Sequence, residues 1–339
     1  MRRFLADVDA AGSMSAIAAT AGRLPQIQCR LVDAGLAGVQ QGRLMTWLID
    51  ALTCRLIALA ETELGSPPGP YAWLACGSQG RQEQTVHTDQ DNALIIADGV
   101  PDGADDWFAR LGTMVTDGLS ACGISHCSGG VGPHNAEWRR TASGWRDAFA
   151  AIIRRPDTRS VMLASHYFDL RCVHGDARLL EEVRQDALAE ARANRLFLAR
   201  VKQNALRSRS GVGTFGRFRL QQRGALRGTL SLKHQALLPI SQLALSHALE
   251  AGTTALSTAD RIHAARDAGV ISAASASDLG TAFASVSDLR ARLLADQLRS
   301  GASPTNEIRP KRLGGLERRH LRASLTVIRQ AQHALAQGV

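Results

Sequence analysis

Residues 71–97, YAWLACGSQGRQEQTVHTDQDNALIIA, place two short apolar runs around a glycine turn and two closely spaced carboxylates. Tyr71–Cys76 is apolar throughout and stops at Gly77-Ser78; Asn92–Ala97 is rich in Leu and Ile. Short apolar runs bounded by glycine and polar residues predict buried strands. The chain must therefore build a sheet here, with a tight turn leaving the first strand and two acids entering the second. Asp89 and Asp91 are two positions apart, so their side chains point to the same side of an extended segment. Two carboxylates side by side at a buried sheet repel each other, and a divalent cation between them removes the repulsion. Such oxygen ligands suit Mg²⁺, which combines one or two carboxylates with substrate phosphates. Gly77 lets the backbone approach a phosphate closely, and Ser78 offers a hydroxyl and an N–H at the start of a short helix or loop. Arg81 can add charge-assisted hydrogen bonds.

An isolated Asp-x-Asp is usually a solvated turn, and a lone Gly-Ser says little. Strand, Gly-Ser, a gap of about ten residues, Asp-x-Asp and strand together form a specific pattern. It resembles the active-site signature of the DNA polymerase β-like nucleotidyltransferase superfamily. The full string GSQGRQEQTVHTDQDNALI is similar to a nucleotidyltransferase family related to the N-terminal domain of the GlnD-type protein-PII uridylyltransferase. Members of that family are often fused to CBS or cyclic-nucleotide-binding domains. The resemblance runs from about Leu31 to Gln330 and is strongest over residues 77–95.

The resemblance implies an α/β fold: a small mixed-sheet nucleotidyltransferase core with N-terminal helices and a C-terminal all-helical domain. The expected divisions are a helical lead-in over 1–65, the core over 66–200 and a mainly helical domain over 201–339. It also implies transfer of a nucleoside monophosphate from an NTP, releasing pyrophosphate, with two Mg²⁺ ions, or Mn²⁺, as cofactor. Asp89 and Asp91 would be joined by a third acid on a later strand. His166–Val173, HYFDLRCV, reads as that strand, with Tyr167, Asp169 and Arg171 on one face. From the residues alone, an edge strand with Asp169 and Arg171 facing water stays open as an alternative; the resemblance makes Asp169 the third catalytic and metal-binding carboxylate. Gly77, Ser78, Gly80, Arg81, Arg171 and Lys233 become nucleotide contacts by the same route. The implied acceptor is a protein side chain, with a PII-like regulator as one candidate. Two alternatives stay open: a non-catalytic nucleotide sensor in signal transduction, and a nucleic-acid binder or modifier.

The flanks read as helices. Leu44, Leu48, Leu52 and Leu56 recur on one helix face, Pro25 breaks an earlier segment, and Ser66–Pro70 is a stiff connector. Trp107–Leu119 predicts an amphipathic helix, and Trp145–Ile153 another that runs to Pro156. Asp157 and Asp176 are expected as N-caps, the latter of one helix over 179–200, and Thr258 as a third cap. Residues 122–140 are irregular, and Gly129, Gly130 and Asn135 are candidates for lining the nucleotide pocket. His126 and Cys127 are adjacent, which does not suit a catalytic dyad. Phe215–Leu220 and Thr229–Leu232 are expected to form a hairpin. Gly211–Gly216 matches GxGxxG but follows no strand of a βαβ unit, so it carries no weight.

The net charge is +9, but the arginines are spread along the chain and aromatics make up only 4%, which argues against nucleic acid as the main partner. The six scattered cysteines have no zinc-site spacing and read as reduced core thiols. No apolar run is long enough for a membrane span, and none follows Met1-Arg2-Arg3 as a signal peptide would require, so a cytoplasmic location is expected. No His-Asp dipeptide, CBS-like unit or repeat occurs, which predicts a stand-alone form or a fragment that lacks the phosphohydrolase and CBS parts.

Overall fold

The computed structural model describes residues 1–213 and 215–337. The chain forms two compact units, one built from residues 1–34, 40–150 and 166–187, the other from 35–39, 151–165 and 188–339. The class is α/β, with a small mixed sheet and a C-terminal helical region, as expected.

The first unit begins with four helices, α1 (Arg2–Ala10), α2 (Met14–Ala21), α3 (Leu24–Asp33) and α4 (Gly38–Leu64). Pro25 sits in the first turn of α3, where its missing N–H costs no hydrogen bond. Helix α4 buries Met45, Leu48, Ile49, Leu52, Leu56 and Ile57 along one stripe. Strand β1 (Tyr71–Ala75) is followed by a single helical turn, α5 (Gly77–Gly80), and by β2 (Asp89–Gln90) and β3 (Asn92–Ile96). Helix α6 (Ala104–Ala121) leads to β4 (Ser125–His126), β5 (Arg139–Thr141), α7 (Ala142–Arg154), α8 (Thr158–Tyr167), β6 (Arg171–Gly175) and α9 (Arg178–Ala193); of these, most of α8 and the last residues of α7 and α9 belong to the second unit.

The main sheet has the order β5-β3-β1-β6, with β1 antiparallel to both neighbours and β3 parallel to β5. Every residue of β1 and β3 is buried, which accounts for their continuous rather than alternating apolar pattern. The helices are tied to these strands by polar groups. Tyr71 donates its hydroxyl to Glu61 on α4 at 2.7 Å, and Trp145 on α7 donates its indole N–H to the Leu94 carbonyl at 2.8 Å. A short parallel pair, β2 with β4, lies apart from the main sheet.

The second unit adds α10 (Arg195–Arg207), β7 (Leu230–Ser231), a π-helical turn over Lys233–Leu237, α11 (Leu238–Ala251), α12 (Thr258–Asp267), α13 (Ala273–Arg299), β8 (Glu307–Ile308) and α14 (Gly315–Gln337). Its core gathers Ile240, Leu243, Phe283, Val286, Leu325 and Ile328 from α11, α13 and α14.

Several expectations need correction. His166–Val173 is not one strand: α8 runs through Tyr167, residues 168–170 turn, and the strand starts only at Arg171. Tyr167 ends the helix because its ring packs against Trp138, Trp145 and Phe149, and this tertiary contact overrides the two-residue alternation. The helix over 179–200 is two helices. Asn194 interrupts it, caps α10 by accepting from the Phe197 N–H, and donates to the Ile153 carbonyl. Ser257, not Thr258, caps α12, while Asp157 does accept from Ser160 N–H at the start of α8. The hairpin does not form. Val212 pairs with Phe218, β7 pairs with β8 across the unit, and the loop between them is closed by the Gln221 N–H on the Thr229 carbonyl and the Gly228 N–H on the Gln221 carbonyl, both at 2.9 Å. Thr214, inside the GxGxxG match, lies outside the described residues.

Candidate functional site

Strand β1 delivers Cys76 and Gly77 to one end of the sheet, and the segment entering β3 delivers Asp91 beside them. The Cys76 N–H donates to the Asp91 carbonyl at 2.9 Å, which continues the β1–β3 ladder by one pair. Gly77 has φ +57°, a left-handed conformation that favours glycine. A Cβ there would stand 2.6 Å from Asp91 Oδ2, so the turn and the carboxylate can be this close only because residue 77 has no side chain. A Cβ on Gly80 would stand 2.0 Å from the Asp169 carbonyl oxygen, so both glycines of the motif serve close approach.

The two acids are held by the residue between them. Gln90 is buried and donates from Nε2 to the carbonyls of Thr116, at 2.9 Å, and Ile124, at 3.0 Å, at the end of α6 and just beyond it. Asn92 donates to Gln90 and accepts from the Trp73 indole at 3.1 Å. This network fixes Gln90 inward, and the pleat then turns Asp89 and Asp91 the other way. Among the described residues, Asp89, Asp91 and Cys127 form a group whose ligand atoms all lie within 4.8 Å of one another. Cys127 comes from the irregular loop after β4. Burial, followed by the hydrogen bond and charge of Asp91, pushes its thiol up to about 11. The carboxylates fit a hard divalent ion such as Mg²⁺, while a protonated thiol offers such an ion little.

Asp169 lies in the turn before β6, is 1% exposed, and is not in that group. Its carboxylate is bonded to the Arg81 guanidinium, which also reaches Glu83 at 2.9 Å. Burial would lower the Arg81 pKa, but Asp169 and Glu83 outweigh it and raise it, so Arg81 is a fixed cation. Gln82 between them takes φ 60° and lets the Glu83 N–H reach back to the Ser78 carbonyl at 2.8 Å. Gly42 on α4 makes room for this loop: a Cβ there would stand 3.1 Å from the Glu83 Cα.

Arg171 sits at the start of β6 with its guanidinium against Asp50, at 3.0 and 2.8 Å, and the Gln79 carbonyl, at 3.2 Å. Asp50, on α4, also accepts from the Gln79 side chain at 3.0 Å. Burial raises its pKa, against the lowering effect of Arg171 and Gln79. The sequence reading missed Asp50. Its signal was an acid next to the buried stripe of α4, one position from Ile49 and two from Leu52. Lys233 belongs to the second unit, where it opens the π-helical turn.

The loop candidates have structural partners. Asn135 caps the turn at Ala136–Trp138 and donates to the Gly130 carbonyl at 3.3 Å. Arg139 makes a bidentate pair with Asp105, at 2.7 and 2.8 Å, and donates to the Pro133 carbonyl, so it clamps the loop to α6. His126 pairs with Asp117 at 3.3 Å, away from a nucleophile role for Cys127.

Two family descriptions match the chain. "Putative nucleotidyltransferase DUF294" matches residues 22–159, and "Putative nucleotidyltransferase substrate binding domain" matches residues 195–339. No curated protein matches the chain significantly.

Proposed function

Because the chain belongs to this nucleotidyltransferase family, we propose that it transfers a nucleoside monophosphate from an NTP to a hydroxyl of an acceptor, a protein side chain in the uridylyltransferase-like manner, and releases pyrophosphate. The supporting observation is the approach of Asp91 to the Gly77 turn, with Asp89 beside it. It brings a carboxylate pair and a glycine turn to one place. Two Mg²⁺ ions held by Asp89 and Asp91 would neutralise the triphosphate and the leaving pyrophosphate.

The chain's own residues then have separate tasks. The N–H groups of the α5 turn and the Ser78 hydroxyl orient the β- and γ-phosphates. Arg81 contributes fixed positive charge and, on meeting a phosphate, has an alternative to Asp169 as anionic partner. Asp169, released in this way, completes the acid triad and accepts the proton of the acceptor hydroxyl. That oxygen forms the new bond to the α-phosphorus as the bond to the bridging oxygen breaks. Positioning and charge account for most of the rate in chemistry of this kind. Arg171 acts through Asp50 and Gln79, shaping the base of the turn.

The second reading is nucleotide sensing without transfer, and the observation in its favour is the ion pair that occupies Asp169. Incubation with each α-³²P-labelled NTP, Mg²⁺ and host lysate separates the two. Transfer predicts a labelled band on a denaturing gel that is absent with Asp89→Ala/Asp91→Ala. Tight nucleotide binding with no label from any NTP would establish the sensor instead.

A further inference from the structure

The positive charge of this protein is concentrated. Residues 207–233 hold seven Arg and Lys and no Asp or Glu, and residues 309–322 hold six Arg and Lys against the single acid Glu317. These two stretches carry more net charge than the +9 of the whole chain, so everything else is net acidic. They are far apart in sequence, but the fold of the second unit joins them. Strand β7 pairs with β8 through Leu230 and Ile308, Thr229 donates to Glu307 at 2.9 Å, and the Arg322 guanidinium lies 5.0 Å over the Phe218 ring. Arg207, Arg209, Arg217, Arg219, Arg223 and Arg227 are all exposed. So are the basic residues from Arg309 to Arg322.

We infer that this arginine surface binds the phosphate backbone of a single-stranded nucleic acid. Three features favour that partner. The cations are almost all arginine, whose planar fork matches phosphate oxygens in pairs. Phe215 is 91% exposed beside them, free to stack on an unpaired base. An open groove of about 450 Å³ is lined by Arg219, Arg223 and Gln221, with the Gln222 and Gln235 amides held to the Leu220 and Arg219 carbonyls at its wall, which pairs phosphate binders with a side-chain amide able to bond a base edge. Lone arginines scattered over a surface would give weak, diffuse attraction. Gathered on one loop and one helix end, they give a track for a backbone. The inference does not rest on the transferase reading, because no residue of the acid cluster takes part.

The test is fluorescence anisotropy with a 5′-labelled poly(U) RNA of about 20 nucleotides, titrated with the full chain over a range of salt. Binding is expected at about 100 mM salt, with log K falling by about 0.7 per phosphate contact for each unit of log salt. Arg223→Glu/Arg227→Glu should weaken it by about tenfold or more and flatten the slope, whereas Arg2→Glu/Arg3→Glu, the same charge change on exposed residues of α1, should have little effect. Phe215→Ala should weaken binding by roughly fivefold with the slope unchanged. Asp89→Ala/Asp91→Ala should bind as the unchanged protein does, whatever its transfer activity. No binding at about 100 mM salt, or equal loss in the two charge-reversal pairs, would overturn the inference. Displacement of the RNA by poly-glutamate at equal charge would overturn it too, and assign the surface to an acidic polypeptide.

Discussion

Asp91 Oδ2 and Gly77 are so close that a methyl group at position 77 would stand 2.6 Å from the oxygen. Gly77→Ala therefore has two effects, backbone strain at φ +57° and displacement of the carboxylate. The strain alone is about 1 kcal/mol. The displacement is expected to lower transfer by about a hundredfold, the scale of a misplacement of roughly 1 Å. Gly99 is the control: its φ is +76°, but a Cβ there meets nothing within 4 Å. Gly99→Ala should lower Tm by a similar amount and leave transfer intact, so single-turnover rates and melting curves on the two variants separate strain from displacement.

Breaking the Arg81–Asp169 pair should cost stability as well as activity. Asp169 is 1% exposed, and removing one partner of a buried pair leaves the other uncompensated. Asp169→Ala is expected to destabilise by about 3 kcal/mol in urea unfolding, somewhat relieved by the contact of Arg81 with Glu83. Arg81→Ala/Asp169→Ala should cost less than the two single changes combined, because neither member of the buried pair is left facing a missing partner, although Glu83 loses its contact with Arg81.

His247 in α11 gives the second unit a sensitivity to acid. Burial is the main cause of its low pKa, about 4, with Glu250 raising it and Lys202 lowering it. In the unfolded chain the same group titrates near 6.5. Between these values the unfolded state holds more protons, so stability rises with pH through this window and is lost as pH falls from 6.5 towards 4. The loss amounts to about 3 kcal/mol for this group. His247→Gln should flatten the dependence of unfolding free energy on pH in that window, measured by urea titration at several pH values.

The donor set Asp89, Asp91 and Cys127 mixes hard and soft atoms, which predicts opposite responses to different metals. EDTA should abolish transfer and Mg²⁺ restore it. Cd²⁺ should inhibit by recruiting the Cys127 sulfur as thiolate, releasing its proton and producing a charge-transfer band near the ultraviolet edge. Cys127→Ser should retain Mg²⁺-dependent transfer within a few fold, lose the band, and resist Cd²⁺.

What the sequence made legible was local. Strands β1 and β3 showed as apolar runs, the Gly77 turn as a glycine at the end of one, and Asp89 and Asp91 as neighbours on one side of an extended segment. The partners that lie far along the chain were not visible: Asp50 with Arg171, Arg81 with Asp169, Cys127 with Asp91. No local pattern encodes such pairs, since each depends on where the sheet brings its ends. The strand expected at His166–Val173 failed for a related reason. Tyr, Asp and Arg alternate there, but the packing of Tyr167 among aromatic rings keeps the backbone helical up to that residue. Seven cations in residues 207–233 are plain in the sequence; that six more join them from residues 309–322 was not visible, because the pairing of β7 with β8 joins segments almost eighty residues apart.

The π-helical turn at Lys233–Leu237 closes with the Leu238 N–H on the Lys233 carbonyl, one residue further than an α-helical bond. It thus stores a surplus residue at the junction between the arginine loop and α11. Deleting one residue from this turn would let it close as ordinary α-helix and leave the chain on either side nearly in its original register, because the surplus residue is absorbed within one wide turn. The same deletion inside α11 would rotate everything before it by about 100° around the helix axis. The turn is therefore the point at which this stretch can change length without repacking the apolar face of α11 or re-aiming the cationic loop.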